Sequence, residues 1–197
     1  MGQGPPTNAW ANGMCEIRWH GRGGQGAVSS AKILATAAYL AGFPGVTSAP
    51  SFGAERRGAP VTASTRLASE PIRVFSQVET PDVVVVLDDS LLKGANATAG
   101  MKPGAWLIIN TRLEPGEIGL TGDFRIATAD ATGAAMEAGL IVQGAPMVNT
   151  PMLGAVARAT GLVSLDEIRA TLEEAFPPKH ARRNFEAARL TYERTKC

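Results

Sequence analysis

The run Gly21-Arg22-Gly23-Gly24-Gln25-Gly26 is the part of this sequence best suited to bind a ligand. Gly21, Gly23 and Gly26 match the pattern G-x-G-x-x-G. Glycines let a backbone turn sharply and approach a ligand closely. A helix starting just after them points free amides and a partial positive charge at an anion. Arg22 adds a full charge, and Ser29 and Ser30 add hydroxyls in the first helical turn. The chemistry on offer is phosphate binding; the other reading is a tight strand-to-helix connection with no ligand. A Rossmann NAD site wants an acid about 20 residues further on, for the ribose hydroxyls. Here residues 45–49 read GVTSA, and the nearest acid, Glu55, stands beside two arginines. A Walker loop is also missing, because Lys32 comes one turn too late.

Those two arginines, Arg56 and Arg57, sit in the loop SFGAERRGAP. Guanidinium forks suit phosphate oxygens bidentately. In a parallel sheet, ligands gather at the carboxyl ends of the strands, so this loop and the glycine loop could share one crevice. The alternative is a pair of solvated arginines, or Arg56 paired with an acid. His20 ends the first strand and reads as a structural hydrogen bonder. Asp88 and Asp89 end a central strand, where helix capping by Asp89 or Ser90 is the simpler role. There is no Cys-His pair at ligand spacing, no nucleophile elbow and no helical glutamate pair, so no catalytic and no metal-ligating residue is assigned.

The elements that must position these loops alternate. Residues 15–20 read as a strand, Ser29 to Leu40 as a helix stopped by Gly42 and Pro44, and 45–49 as a weak strand. Residues 61–68 alternate as a half-exposed strand does, and 71–77 could pair with them as a hairpin. Val83 to Leu87 are five consecutive branched apolar residues, which marks a strand buried on both faces. Strands at 105–110 and 124–129 and helices at 132–141 and 150–160 continue the pattern. Ser164 and Glu167 form a capping box for a helix to about Phe176. Residues 181–195 read as a surface helix with Arg182/Glu186 and Arg189/Glu193 pairs. This predicts a single α/β domain, residues 15–197. Its sheet is mostly parallel, with helices on both faces and an antiparallel hairpin at 61–76. Residues 1–14 are expected to be a flexible tail.

Composition excludes several classes. The 197 residues are 45% hydrophobic and 19% charged, enough apolar material for a core and against disorder. A net charge of +1 argues against a general nucleic-acid binder. Cys15 and Cys197, near opposite ends, make neither a disulfide framework nor a metal quartet, so a reducing, cytoplasmic setting is expected. No stretch reads as a membrane span or a signal peptide.

Taken together, GRGGQGAVSSAKILATAA, PSFGAERRGAPVTASTRLASEPI, PDVVVVLDDSLL and NTPMLGAVARATGLVSLDEI resemble the gamma subunit of the 2-oxoacid:ferredoxin oxidoreductases. Pyruvate:ferredoxin oxidoreductase (pyruvate synthase) is the type member. The four motifs occur in order over roughly residues 15–190. The resemblance implies a multi-subunit enzyme that oxidatively decarboxylates a 2-oxoacid to its acyl-CoA. Pyruvate is one such acid; aryl acids such as phenylglyoxylate or indolepyruvate are others. Electrons pass to ferredoxin or NAD.

The resemblance further implies that coenzyme A is the ligand of this chain. Gly21, Arg22, Gly23, Gly24, Gln25, Gly26 and Ser29 would meet one phosphate region, and Arg56 and Arg57 another. Thiamine diphosphate, Mg and 4Fe-4S clusters would lie on partners: alpha and beta subunits, a ferredoxin-like delta subunit and, for NAD, a flavin subunit. This chain has no thiamine GDG…N motif and no four-cysteine ferredoxin run, in keeping with that division. Two other readings stay open. One is an assembly module with no ligand. The other is a free-standing dinucleotide-binding oxidoreductase, which the missing ribose acid disfavours.

Overall fold

The computed structural model describes residues 13–50, 57–74 and 76–197. Most of the expected tail (1–12), Trp10, Glu55, Arg56 and Phe75 lie outside them. The main sheet has six strands: β1 (Met14–Arg22), β2 (Gly45–Pro50), β3 (Pro60–Ala68), β4 (Val83–Val86), β5 (Ala105–Asn110) and β6 (Phe124–Ala129), in the order β2-β3-β1-β4-β5-β6. β1, β4, β5 and β6 run parallel, and β3 is antiparallel to both β1 and β2. This is the expected mixed α/β sheet.

The helices are α1 (Ala27–Leu40), α2 (Leu91–Gly94), α3 (Ala131–Glu137), α4 (Pro151–Thr160), α5 (Leu165–Ala175) and α6 (Pro178–Arg194). They cover the two faces unequally. Ile17, Trp19, Val83, Val85, Ile108 and Ala127 point to the face that packs on α1, α4, α5 and α6. Val84, Val86, Leu107 and Ile109 point the other way, onto short α2 and the loops around Met101 and Ile118. Because β4 is covered on both sides, all four of its valines are fully buried, each worth about 1.5–3 kcal/mol of apolar transfer. Trp19 Nε1 donates to Thr65 Oγ1 (3.0 Å), whose hydroxyl donates on to Ala31 O (3.0 Å). That chain fixes β1, β3 and α1 to one another across the core.

The elements depart from expectation in three places. Residues 71–74 form no strand, because both edges of β3 are already taken, by β1 and by β2. Ser69 and Glu70, between β3 and this segment, form a bend. The helix expected at 132–141 ends at Glu137. Gly139, at φ +65°, then leads into a small hairpin of β7 (Ile141–Val142) and β8 (Ala145–Pro146). Finally, α6 is more than a surface helix: Ala181, Ala187, Ala188 and Leu190 are buried. It crosses α4 so closely that a β-carbon on Gly154 would stand 2.0 Å from Ala188 O. Its Arg189 bonds both Glu186 and Glu193, where an Arg182–Glu186 pair was expected. The Ser164/Glu167 capping box of α5 forms as read.

Candidate functional site

The glycine loop joins the carboxyl end of β1 to α1. Arg22 N donates to Gln25 Oε1 (2.7 Å) and Gln25 N to Arg22 O (2.9 Å), which closes a tight turn. Gly23 N donates to Ala59 O (2.8 Å) and Gly58 N to Gly23 O (3.0 Å), so the loop is laced to the segment carrying Arg57. Gly26, at φ +83°, is the N-cap of α1 and makes no side-chain cap. It is constrained twice, since a β-carbon there would also stand 2.9–3.1 Å from Asn149. The first helical bond is Ser30 N to Gly26 O. The amides of Ala27, Val28 and Ser29 therefore lack a helical acceptor, and no acidic residue stands in the first turn. An unneutralised helix start of this kind attracts an anion.

The flank of the loop is held by β4. Arg22 Nε donates to Asp88 Oδ2 (3.1 Å), its other nitrogens to Gly58 O (3.1 Å) and Ser90 Oγ (2.7 Å), and Gln25 Nε2 to Asp88 Oδ2 (3.0 Å). Ser90 Oγ donates to Asp88 in turn. Arg22 is thus engaged with the protein, and Asp88 fastens the loop; Ser90, as the N-cap of α2, makes no side-chain cap bond. Asp88's carboxyl lies below the usual carboxylate range. Partial burial raises it, but hydrogen bonds from Ser90 and Gln25 and the Arg22 charge together outweigh that.

Beside this loop, at the carboxyl ends of β4, β5 and β6, opens a cleft of about 740 Å³. It is lined by Gly24, Gln25, Asp88, Asn110, Arg112 and Asp130 among others. A second hollow of about 600 Å³ lies across Gly23, Gly24 and Gln25 and reaches Arg57 and Gln143. The glycine loop and Arg57 therefore border one crevice, as the sequence suggested. Arg57 is exposed and, among the described residues, its side chain donates to Gln143 Oε1 at 3.4 Å. Ser29 is exposed in the first turn of α1. Ser30 is buried, and its hydroxyl faces inward, donating to Gly26 O and Asn149 O (both 3.1 Å). Arg56 lies outside the described residues.

A further polar group, on the opposite sheet face, was legible only in part. Arg18 Nε donates to His20 Nε2 (3.1 Å), and its other nitrogens reach the carbonyls of Val78, Glu79, Ala97 and Ala99. His20 is the structural hydrogen bonder expected. Burial, together with the Arg18 charge, pushes its pKa down to about 4. Next to it, buried Arg66 bonds Glu16 (2.9 Å) and Ser76 O (2.7 Å). Glu16, Arg18 and His20 alternate along β1, and the partners of Glu16 and Arg18 outside that strand come from 50 to 81 residues away. No helix among the described residues is long and apolar enough to cross a membrane.

Comparison with known proteins agrees with this architecture. The pyruvate ferredoxin/flavodoxin oxidoreductase family model matches residues 16–194. The pyruvate/ketoisovalerate oxidoreductases common subunit gamma of Thermococcus litoralis is 46% identical over 185 residues, covering 92% of this chain and 97% of that one. The crystal structure of the pyruvate oxidoreductase subunit PORC of Thermotoga maritima superposes with a TM-score of 0.80 at 39% identity, covering 94% of this chain and 99% of that one. The same fold recurs, at 23% identity and TM-score 0.69, as 30% of a chain of the Magnetococcus marinus 2-oxoglutarate:ferredoxin oxidoreductase; 91% of this chain is covered. That structure was solved with 2-oxoglutarate, coenzyme A and succinyl-CoA bound. The chain belongs to the pyruvate ferredoxin/flavodoxin oxidoreductase family, among its gamma subunits.

Proposed function

We propose that this chain is the coenzyme-A-binding subunit of a multi-subunit 2-oxoacid oxidoreductase acting on pyruvate. The observation that carries the reading is the uncapped start of α1, with three amides lacking helical acceptors and no acid in its first turn, directly after Gly24 and Gln25, which line the cleft at the strand ends. A diphosphate ester brings the negative charge that this start attracts. Arg57, which lines the adjoining hollow across the glycine loop and has no acidic partner among the described residues, suits a second phosphate. Arg22 serves by holding the loop in shape. Coenzyme A supplies the thiol that takes the acyl group; this chain binds and orients it.

Partner subunits carry thiamine diphosphate, Mg and the iron–sulfur clusters, and pass electrons to ferredoxin or, through a flavin subunit, to NAD. Subunit packing is supported by Met136, Ile141 and Val142, which are about half exposed (46–51%), Val142 at the second hollow. The test is steady-state kinetics of the assembled complex with Arg56 and Arg57 both changed to alanine. The Michaelis constant for coenzyme A should rise about tenfold or more, as expected for loss of a charged hydrogen bond. That for pyruvate should hold. An unchanged coenzyme A constant would leave assembly as the role of this chain.

A further inference from the structure

Asn149 belongs to a motif singled out in the sequence, yet the site as described does not use its side chain. It precedes the N-cap of α4, Thr150, and its own carbonyl accepts from Ser30 on α1, so the two helices begin side by side. The residue is only 7% exposed. Its carboxamide lies against Gly26: Nδ2 is 2.9 Å and Cγ 3.1 Å from where a β-carbon on that glycine would stand. Among the described residues nothing hydrogen-bonds that carboxamide. Its polar atoms are not sealed from solvent, since among the described residues the sealed and unpaired side-chain atom is Thr128 Oγ1, so the carboxamide is open to a ligand's acceptor. Thr150, the next residue, shows the contrast: its hydroxyl is buried and bonded to Asn184 Oδ1 at 2.6 Å. The adjoining Val148 lines the same cleft as Gly24 and Gln25.

We propose that Asn149 is a ligand-binding residue whose carboxamide donates to the phosphoryl group held by the amides of Ala27, Val28 and Ser29. This rests on the reading of the α1 start as the phosphate site and adds the side chain that completes it. Gly26 is then glycine for a functional reason as well as a conformational one, since any side chain there would displace the carboxamide.

The test uses the assembled complex, with coenzyme A as the probe, and two readouts: calorimetric affinity and hydrogen exchange of residues 22–30. In the wild type, coenzyme A should slow exchange there. Asn149→Asp keeps the shape but sets a carboxylate against the phosphoryl group, and Asn149→Ala removes the donor. Both should weaken coenzyme A binding about tenfold or more, the aspartate more than the alanine. Exchange of ligand-free Asn149→Asp should match the wild type. If coenzyme A protects the wild-type loop and the aspartate variant binds it equally well, the assignment of Asn149 is overturned while the phosphate site stands. If the ligand-free variant already exchanges faster and its affinity loss follows that change, Asn149 only supports the loop, which also overturns it. If coenzyme A leaves exchange at 22–30 unchanged in the wild type, the phosphate site itself fails.

Discussion

Asp88 Oδ2 stands 3.1 Å from Arg22 Nε, so the end of β4 is clamped to the glycine loop at the end of β1. The same oxygen accepts from Gln25 Nε2, and Gln25 in turn closes the turn at Arg22 N. One carboxylate therefore sets the shape of the loop that starts α1. Asp88→Asn keeps a single acceptor but loses the charge. It should cost about 1 kcal/mol, within the range for a partly exposed charged hydrogen bond. That lowers Tm by about 2–4 °C for a chain of this size. Hydrogen exchange should quicken at residues 22–27, while the helices α5 and α6 exchange as before. A loop that exchanges no faster in the variant would show that Asp88 is not its clamp.

His20 should make stability fall as pH drops. Its pKa is about 4 in the fold, against about 6.5 in an unfolded chain. Between those values the unfolded chain binds the proton and the native chain does not. Stability is therefore full above about pH 6.5 and is lost on acidification down to about pH 4. The depression is worth about 3–4 kcal/mol at most, since one unit is about 1.4 kcal/mol. Protonation would also remove the lone pair that accepts from Arg18, whose guanidinium holds the loops at Val78–Glu79 and Ala97–Ala99. Denaturant melts of wild type and His20→Gln at several pH values check this. The wild type should lose more stability than the glutamine variant between pH 6.5 and 4; parallel curves would contradict it.

The crossing of α4 and α6 leaves no room at Gly154. A β-carbon there meets Ala188 O at 2.0 Å, Ala188 C at 2.9 Å and Tyr192 N at 3.0 Å, all backbone atoms that cannot rotate away. Gly154→Ala must push the helices apart, at a cost of about 1–3 kcal/mol or more. Thermal denaturation should show Tm lower by several degrees, although alanine has the better helix propensity. A variant as stable as the wild type would mean that the helices can separate freely.

What could be read in advance depended on how local the signal was. The run Val83–Leu87 and the box Ser164/Glu167 report their own neighbourhoods, and β4 and α5 formed there. Residues 71–77 have strand-like composition, but β3 was already paired on both edges, once by the weakly patterned edge strand β2. Sheet pairing is decided by such distant competition, which composition along the chain does not show. The glycine loop was legible as a motif. Its clamp was not, because Asp88 is 66 residues from Arg22 and reaches it only once β1 and β4 lie side by side. An aspartate at a strand end fits a helix cap equally well from sequence.

Arg22 and Arg57 look alike in sequence, both beside glycine in loops that border the crevice, yet the structure gives them different work. Arg22 spends its guanidinium on Asp88, Gly58 O and Ser90. Arg57 is exposed, and among the described residues its side chain bonds Gln143 alone, at a long 3.4 Å. Arg22→Ala should therefore lower both Tm and coenzyme A affinity, because the loop loses its shape. Arg57→Ala should lower coenzyme A affinity several-fold while stability changes by no more than about 0.5 kcal/mol, the usual range for an unengaged surface residue. Arg22→Lys should resemble the alanine variant, since an ammonium cannot reproduce a planar fork with three separate partners. Paired melts and coenzyme A titrations of the assembled complex separate the two roles. If Arg57→Ala melted early, or if Arg22→Ala kept its Tm and lost only affinity, the roles would be reversed, with Arg22 facing the ligand and Arg57 holding the loop.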